Sequence, residues 1–69
     1  MTEDELRKNL RYLIDKYIID KNKKDEIYNY IDREDVPVKG ILADLNNFRV
    51  EKITQDDGNL IRDIYFHYC

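Results

Sequence analysis

The chain has 69 residues, a net charge of −3 and 42% hydrophobic residues. That is enough for one domain with one core, and too apolar for a disordered acidic tail. One cysteine, Cys69, excludes a disulfide within the chain and suits a reducing compartment. With His67 as the only histidine, the chain is short of the roughly four Cys or His ligands that structural zinc needs.

No stretch approaches the ~18 apolar residues of a membrane span. The acidic start Met1-Thr2-Glu3-Asp4-Glu5 is unlike a secretion signal. A cytoplasmic location is expected, or a nuclear one in a eukaryotic or viral setting. Abundant Tyr, Ile, Asn, Lys and Asp point to an AT-rich genome such as a virus, phage or mobile element carries. A domain of this size buries only about 60% of its unfolded surface, so self-association as a homodimer is the expected source of further stability.

Thr2 followed by Glu5 forms a capping box. Leu6, Leu10, Leu13, Ile14, Tyr17 and Ile18 then recur at helical spacing, which predicts a helix over about 3–20. Asn22 as N-cap, Asp25 in the first turn and Ile27 and Ile31 on one face predict a second helix over about 23–31. Asp32, Glu34 and Asp35 belong to a polar turn; without a central Gly they do not form a calcium loop. Pro37 suits a helix start, and Val38, Ile41, Leu42 and Leu45 follow at helical spacing, giving a third helix over about 37–46.

From Phe48 the pattern changes. Residues 48–55 and 60–68 are rich in β-formers and flank Asp56-Asp57-Gly58-Asn59. Asp-Gly between such runs is a strong hairpin signal. In the register it sets, Lys52 faces Asp63 and Val50 faces Tyr65.

Three helices and a hairpin is the winged-helix order. Ile27, Ile31, Val38, Leu42, Leu45 and Val50 fall where winged-helix domains place the apolar residues of the second helix, the third helix and the first wing strand. Gln55 to Leu60 resembles a wing tip, and the match spans about residues 6–68. The resemblance implies an α+β winged-helix fold, a variant of helix-turn-helix. It departs from the superfamily between the first two helices, where Ile18-Ile19-Asp20 offers no more than a vestigial strand. The Asn and Tyr that Z-DNA binders carry on the third helix are here Lys39 and Ala43, and the chain has no Trp, so Z-form recognition is not expected.

The resemblance implies a DNA-binding transcription regulator. Lys23, Lys24, Arg49 and Lys52 would hold phosphates, and Lys39 and Asn47 on the third helix would touch bases. The basic cluster from Arg7 to Lys24 favours this reading. A near-neutral third helix and the acidic Asp56-Asp57 favour the alternative, a module that binds and modulates a partner protein through the same face. No cofactor is implied. His67 and Cys69 lack an orienting partner, so no enzymatic activity is expected.

Overall fold

Thr2 opens the first helix as its N-cap, making the first of the two capping-box hydrogen bonds. Its Oγ1 accepts from the Glu5 N–H at 3.2 Å and its hydroxyl faces the Glu5 carboxylate. In this computed structural model, which describes residues 1–68, α1 runs over Glu3–Tyr17, α2 over Lys21–Ile31, α3 over Val38–Phe48 and α4 over Gln55–Tyr68. The described residues form no strand.

The first three helices follow the apolar spacing. Leu6, Leu10, Leu13, Ile14 and Tyr17 of α1 are buried, as are Ile27 and Ile31 of α2 and Val38, Ile41, Leu42 and Leu45 of α3. Their boundaries differ from the expected ones. α1 stops at Tyr17, because Asp20 leaves the helix to cap the next one. Its carboxylate accepts from the N–H groups of Asn22 at 2.9 Å and Lys23 at 3.2 Å. The N-cap is thus Asp20 rather than Asn22, and α2 starts two residues earlier than its spacing suggested. α3 continues to Phe48, the residue expected to begin a strand.

The large correction is at the C-terminus. The hairpin over 48–55 and 60–68 does not form, and the fold is all-α rather than α+β. The second half of that segment is α4, so there is no wing. Two things decide this. Thr54 caps the helix, its Oγ1 accepting from the Asp57 N–H at 3.2 Å and its carbonyl from the Gly58 N–H at 2.8 Å. Helical winding also brings Asp57, Leu60, Ile61, Ile64 and Tyr68 to one side, with Ile64 fully buried and Leu60, Ile61 and Tyr68 packed against the core. Asp56 and Asp57 then sit in the first turn, where negative charge suits the helix dipole. Asp57-Gly58, read locally as a two-residue turn, instead belongs to the first turns of a helix. Gly58 has no positive φ, so the left-handed geometry of a hairpin turn is absent.

α1 packs against each of the other three helices, and α3 likewise meets α1, α2 and α4. α2 and α4 lie on opposite flanks of the α1–α3 pair without touching. The loop after α3 is tied back by the Val50 N–H, which donates to the Tyr17 carbonyl at 2.9 Å. The whole measures 27 × 27 × 16 Å, the thin direction matching two packed helices.

Leu42 is 4% exposed at the centre of α3. Leu42→Ala is expected to cost about 2–5 kcal/mol, read as a fall in the urea midpoint or loss of the folded signal altogether. Gly58→Ala separates the helix from the hairpin. An added Cβ would meet only Ile53 Cγ2, at 4.0 Å. In a helix the change is expected to stabilise by up to about 1 kcal/mol, whereas in a turn with positive φ it would destabilise. Thermal unfolding of the variant distinguishes the two.

Candidate functional site

α4 is held in place by a polar cluster on α1. Asp57 is 4% exposed, and its carboxylate accepts from three α1 side chains: Tyr12 Oη at 2.8 Å, Lys16 Nζ at 2.7 Å and the Tyr17 hydroxyl. The same Tyr17 oxygen accepts from the Thr54 N–H at 3.2 Å. Tyr17 thereby does for the Thr54 amide what the acidic residue of a capping box ordinarily does, leaving Asp57 free to face α1. The Lys16 ammonium lies 5.4 Å from the Tyr17 ring centre and 5.7 Å from that of Tyr12.

Burial of Asp57 by itself would raise its pKa. The hydrogen bonds from Lys16, Tyr17, Tyr12 and Thr54 outweigh burial and hold the carboxyl well below the usual range. The hydrogen bond to Asp57 raises Lys16 in return. This cluster is built for anchoring: its carboxylate and both tyrosine hydroxyls are bonded within the chain, and no buried side-chain nitrogen or oxygen of the described residues lacks a partner.

Similar pairing engages much of the basic segment of α1 and α2. Arg11 pairs with Asp32 and lies 5.1 Å over the Tyr28 ring. Arg7 reaches the carbonyls of Ile31 at 3.1 Å and Arg33 at 2.9 Å, with Glu3 at 3.8 Å. Lys24 pairs with Asp15 at 3.5 Å, beside the Tyr28 hydroxyl that donates to the same carboxylate. That hydrogen bond lowers the Asp15 pKa. Partial burial and the same bond push Tyr28 up to about 12. Lys23 sits between Glu26 at 3.3 Å and Asp44 at 3.8 Å, 4.5 Å over the Phe48 ring.

These placements redistribute the residues expected to bind DNA. Lys23 and Lys24 are half-buried in ion pairs that join α2 to α3 and to α1. Lys39 and Asn47 are exposed on α3, but at opposite ends of it. Arg49 caps the end of α3 and donates to the Glu51 carbonyl at 3.0 Å. Lys52 is exposed in the α3–α4 loop. The six residues do not converge on one surface with a wing, because the wing is absent.

What the structure does bring together is a groove of about 390 Å³ between α3 and α4. Leu42, Ala43, Leu45, Asn46 and Asn47 come from α3, Ile53 from the loop and Ile61 and Tyr65 from α4. Tyr65 is 43% exposed and Phe66, next along α4, is 85% exposed. A second, more polar depression of about 510 Å³ lies on the other flank of α3, where Tyr30, Arg33, Pro37, Gly40 and Asp44 meet Ile41 and Ala43. Small residues at Gly40 and Ala43 leave the α3 ridge between them low. Ile53, Ile61 and Tyr65 escape a reading of 48–68 as a hairpin, which scatters them over two strands. Helical spacing from Ile61 through Tyr65, beside Leu60, Ile64 and Tyr68, is the signal that groups them.

No group of three or more His, Asp or Glu among the described residues is placed to hold a metal ion, and Cys69 lies outside them. No helix among the described residues is long and apolar enough to cross a membrane. No protein-family model, curated protein or solved structure matches the chain.

The depressed pKa of Asp57 fixes the sign of its pH effect. Its contribution is fully present above the unfolded carboxyl value of about 4 and is lost as pH falls toward the folded value. Urea midpoints are therefore expected to fall on acidification below about pH 4. Asp57→Asn should cost about 1.5–3 kcal/mol near neutral pH and make the acid-side slope shallower. An unchanged slope would mean that other carboxylates set the acid sensitivity.

Proposed function

We propose that this protein is a small, non-enzymatic binding module that docks on a partner protein through the groove between α3 and α4. The observation that carries this reading is the groove itself: an apolar floor of Leu42, Leu45, Ile53 and Ile61, edged by Tyr65 and followed on α4 by Phe66, the most exposed large hydrophobic residue of the chain. Leu42 and Leu45 close the floor from the core, and the large side chains left open to solvent are Tyr65 and Phe66; exposed aromatics suit recognition surfaces. Low ridge residues such as Ala43 let another backbone approach α3 closely.

A second reading, duplex DNA binding by α3, is supported by Lys39 and Asn47 on its open side with Gly40 and Ala43 between them. Three observations weigh against it. Lys23 and Lys24 are already neutralised. The exposed Asp32, Glu34 and Asp35 precede the start of α3. No hairpin reaches the backbone beside it. A phosphate-contacting surface needs uncommitted cations on one face.

Two measurements separate the readings. A photo-crosslinking residue placed at Tyr65 is expected to capture a protein partner in host cells, one at Asn29 on α2 is not, and Ala43→Arg should abolish the Tyr65 adduct. A labelled random duplex is expected to show no salt-sensitive binding between about 50 and about 200 mM salt. Binding that weakens steeply with salt, together with equal crosslinking from both positions, would replace the partner-protein reading with the DNA one.

A further inference from the structure

The charges around the α3–α4 groove differ from those of the chain as a whole. Lys39 lies one turn before Ala43 on the same side of α3, Arg62 one turn before Tyr65 on α4, and Lys52 directly before Ile53 in the loop. All three are exposed, and none has an ion-pair partner among the described residues. Arg7, Arg11, Lys16, Lys23 and Lys24 all do.

The acids near this groove are turned elsewhere. Asp44 faces Lys23 on the α2 side. Asp57 is consumed by α1. Asp63 stands two residues from both Ile61 and Tyr65, hence on the other side of α4. Glu51, beside Lys52, and Asp63, beside Arg62, are the exposed acids adjoining the rim in sequence. A protein of net charge −3 therefore edges its apolar groove with cations from each of the three segments that form it.

We infer that the groove takes an acidic amphipathic segment of a partner protein, its apolar side chains set against Leu42, Leu45, Ile53, Ile61 and Tyr65 and its carboxylates against Lys39, Lys52 and Arg62. This rests on the groove being a protein-docking surface and names the chemistry of what docks. Apolar anchors on one face and charge on the other is the helix-in-groove mode of recognition. Rim cations select among such segments by sign. A second copy of this chain seated face to face fits less well. A two-fold interface places the same patch against itself, so the rim cations of one copy would be brought up to the rim cations of the other. A nucleic-acid backbone would satisfy the cations and leave the apolar floor uncovered.

The test uses two labelled helical peptides with identical leucine positions, one carrying Glu and the other Lys at the remaining sites. The Glu peptide is expected to bind about tenfold more tightly than the Lys peptide at about 50 mM salt, with the gap narrowing by about 200 mM. Its amide shifts should map to Leu42, Ile61 and Tyr65. The double variant Lys39→Glu with Arg62→Glu changes exposed residues only, and circular dichroism checks that it stays folded; it should reverse the preference. Equal binding of both peptides at the groove, or a preference unmoved by charge reversal, overturns the acidic partner and leaves the groove as a docking surface. Binding of neither peptide to the folded protein overturns both. A duplex that shifts the same residues in place of the Glu peptide assigns the rim to nucleic acid, and a monomer–dimer transition that masks them assigns it to a second copy.

Discussion

The carboxylate of Asp57, buried against Tyr12, Lys16 and Tyr17, is the contact on which the C-terminal half of the fold depends. Three α1 side chains meet one oxygen pair on α4, and Tyr17 also receives the amide that opens the helix. This fixes where α4 begins and how it is rotated. With Asp57 turned toward α1, Ile64 goes to the core, and Ile61 and Tyr65 go to the flank that faces α3. The groove is a geometric result of that rotation. A charge this deep is tolerated because each of its hydrogen bonds is made, with Lys16 supplying the countercharge at the edge.

The ion pairs on the opposite flank have an analogous effect on α2. Lys23 ties α2 to Asp44 of α3 and stacks on Phe48, Lys24 ties it to Asp15 of α1, and Arg11 of α1 holds Asp32 at the C-terminal end of α2. Exposed pairs of this kind stabilise only slightly. Their larger consequence is on charge: the basic segment that looks like a polyanion site along the chain is, once folded, mostly occupied by the protein's own carboxylates. What remains uncommitted beside the groove is Lys39, Lys52 and Arg62. Linear charge clustering and the charge available at a surface are different quantities here, and folding separates them.

Three helices were legible because their apolar residues repeat at helical spacing and because Thr2 and Pro37 mark starts. α4 was not, for a physical reason. Asp57-Gly58 between runs of Ile, Tyr and Phe carries local preferences that favour a turn between strands. Those preferences are worth a fraction of a kcal/mol per residue, and the buried contacts of Asp57 and Ile64 override them. Both contacts join residues far apart in sequence: Asp57 meets Tyr12 across 45 positions. No local pattern announces such a pairing. Lys39, Asn47 and Lys52 were singled out from the sequence as DNA-binding groups, the first two on the third helix and Lys52 on a wing that does not form. The apolar floor was missed, because seeing it requires α4 to be a helix.

The tyrosines carry one more consequence. The hydroxyls of Tyr12 and Tyr17 are bound to Asp57, that of Tyr28 to Asp15, that of Tyr30 to Glu26, and that of Tyr68 to the Met1 carbonyl. Tyr65 alone of the six has no hydrogen-bond partner among the described residues. Its phenol therefore brings to the groove an unspent donor as well as a ring. A partner that covers it must supply an acceptor or bear the desolvation of a bare hydroxyl, so a polar contact at the edge of the cleft's apolar floor selects orientation as well as affinity.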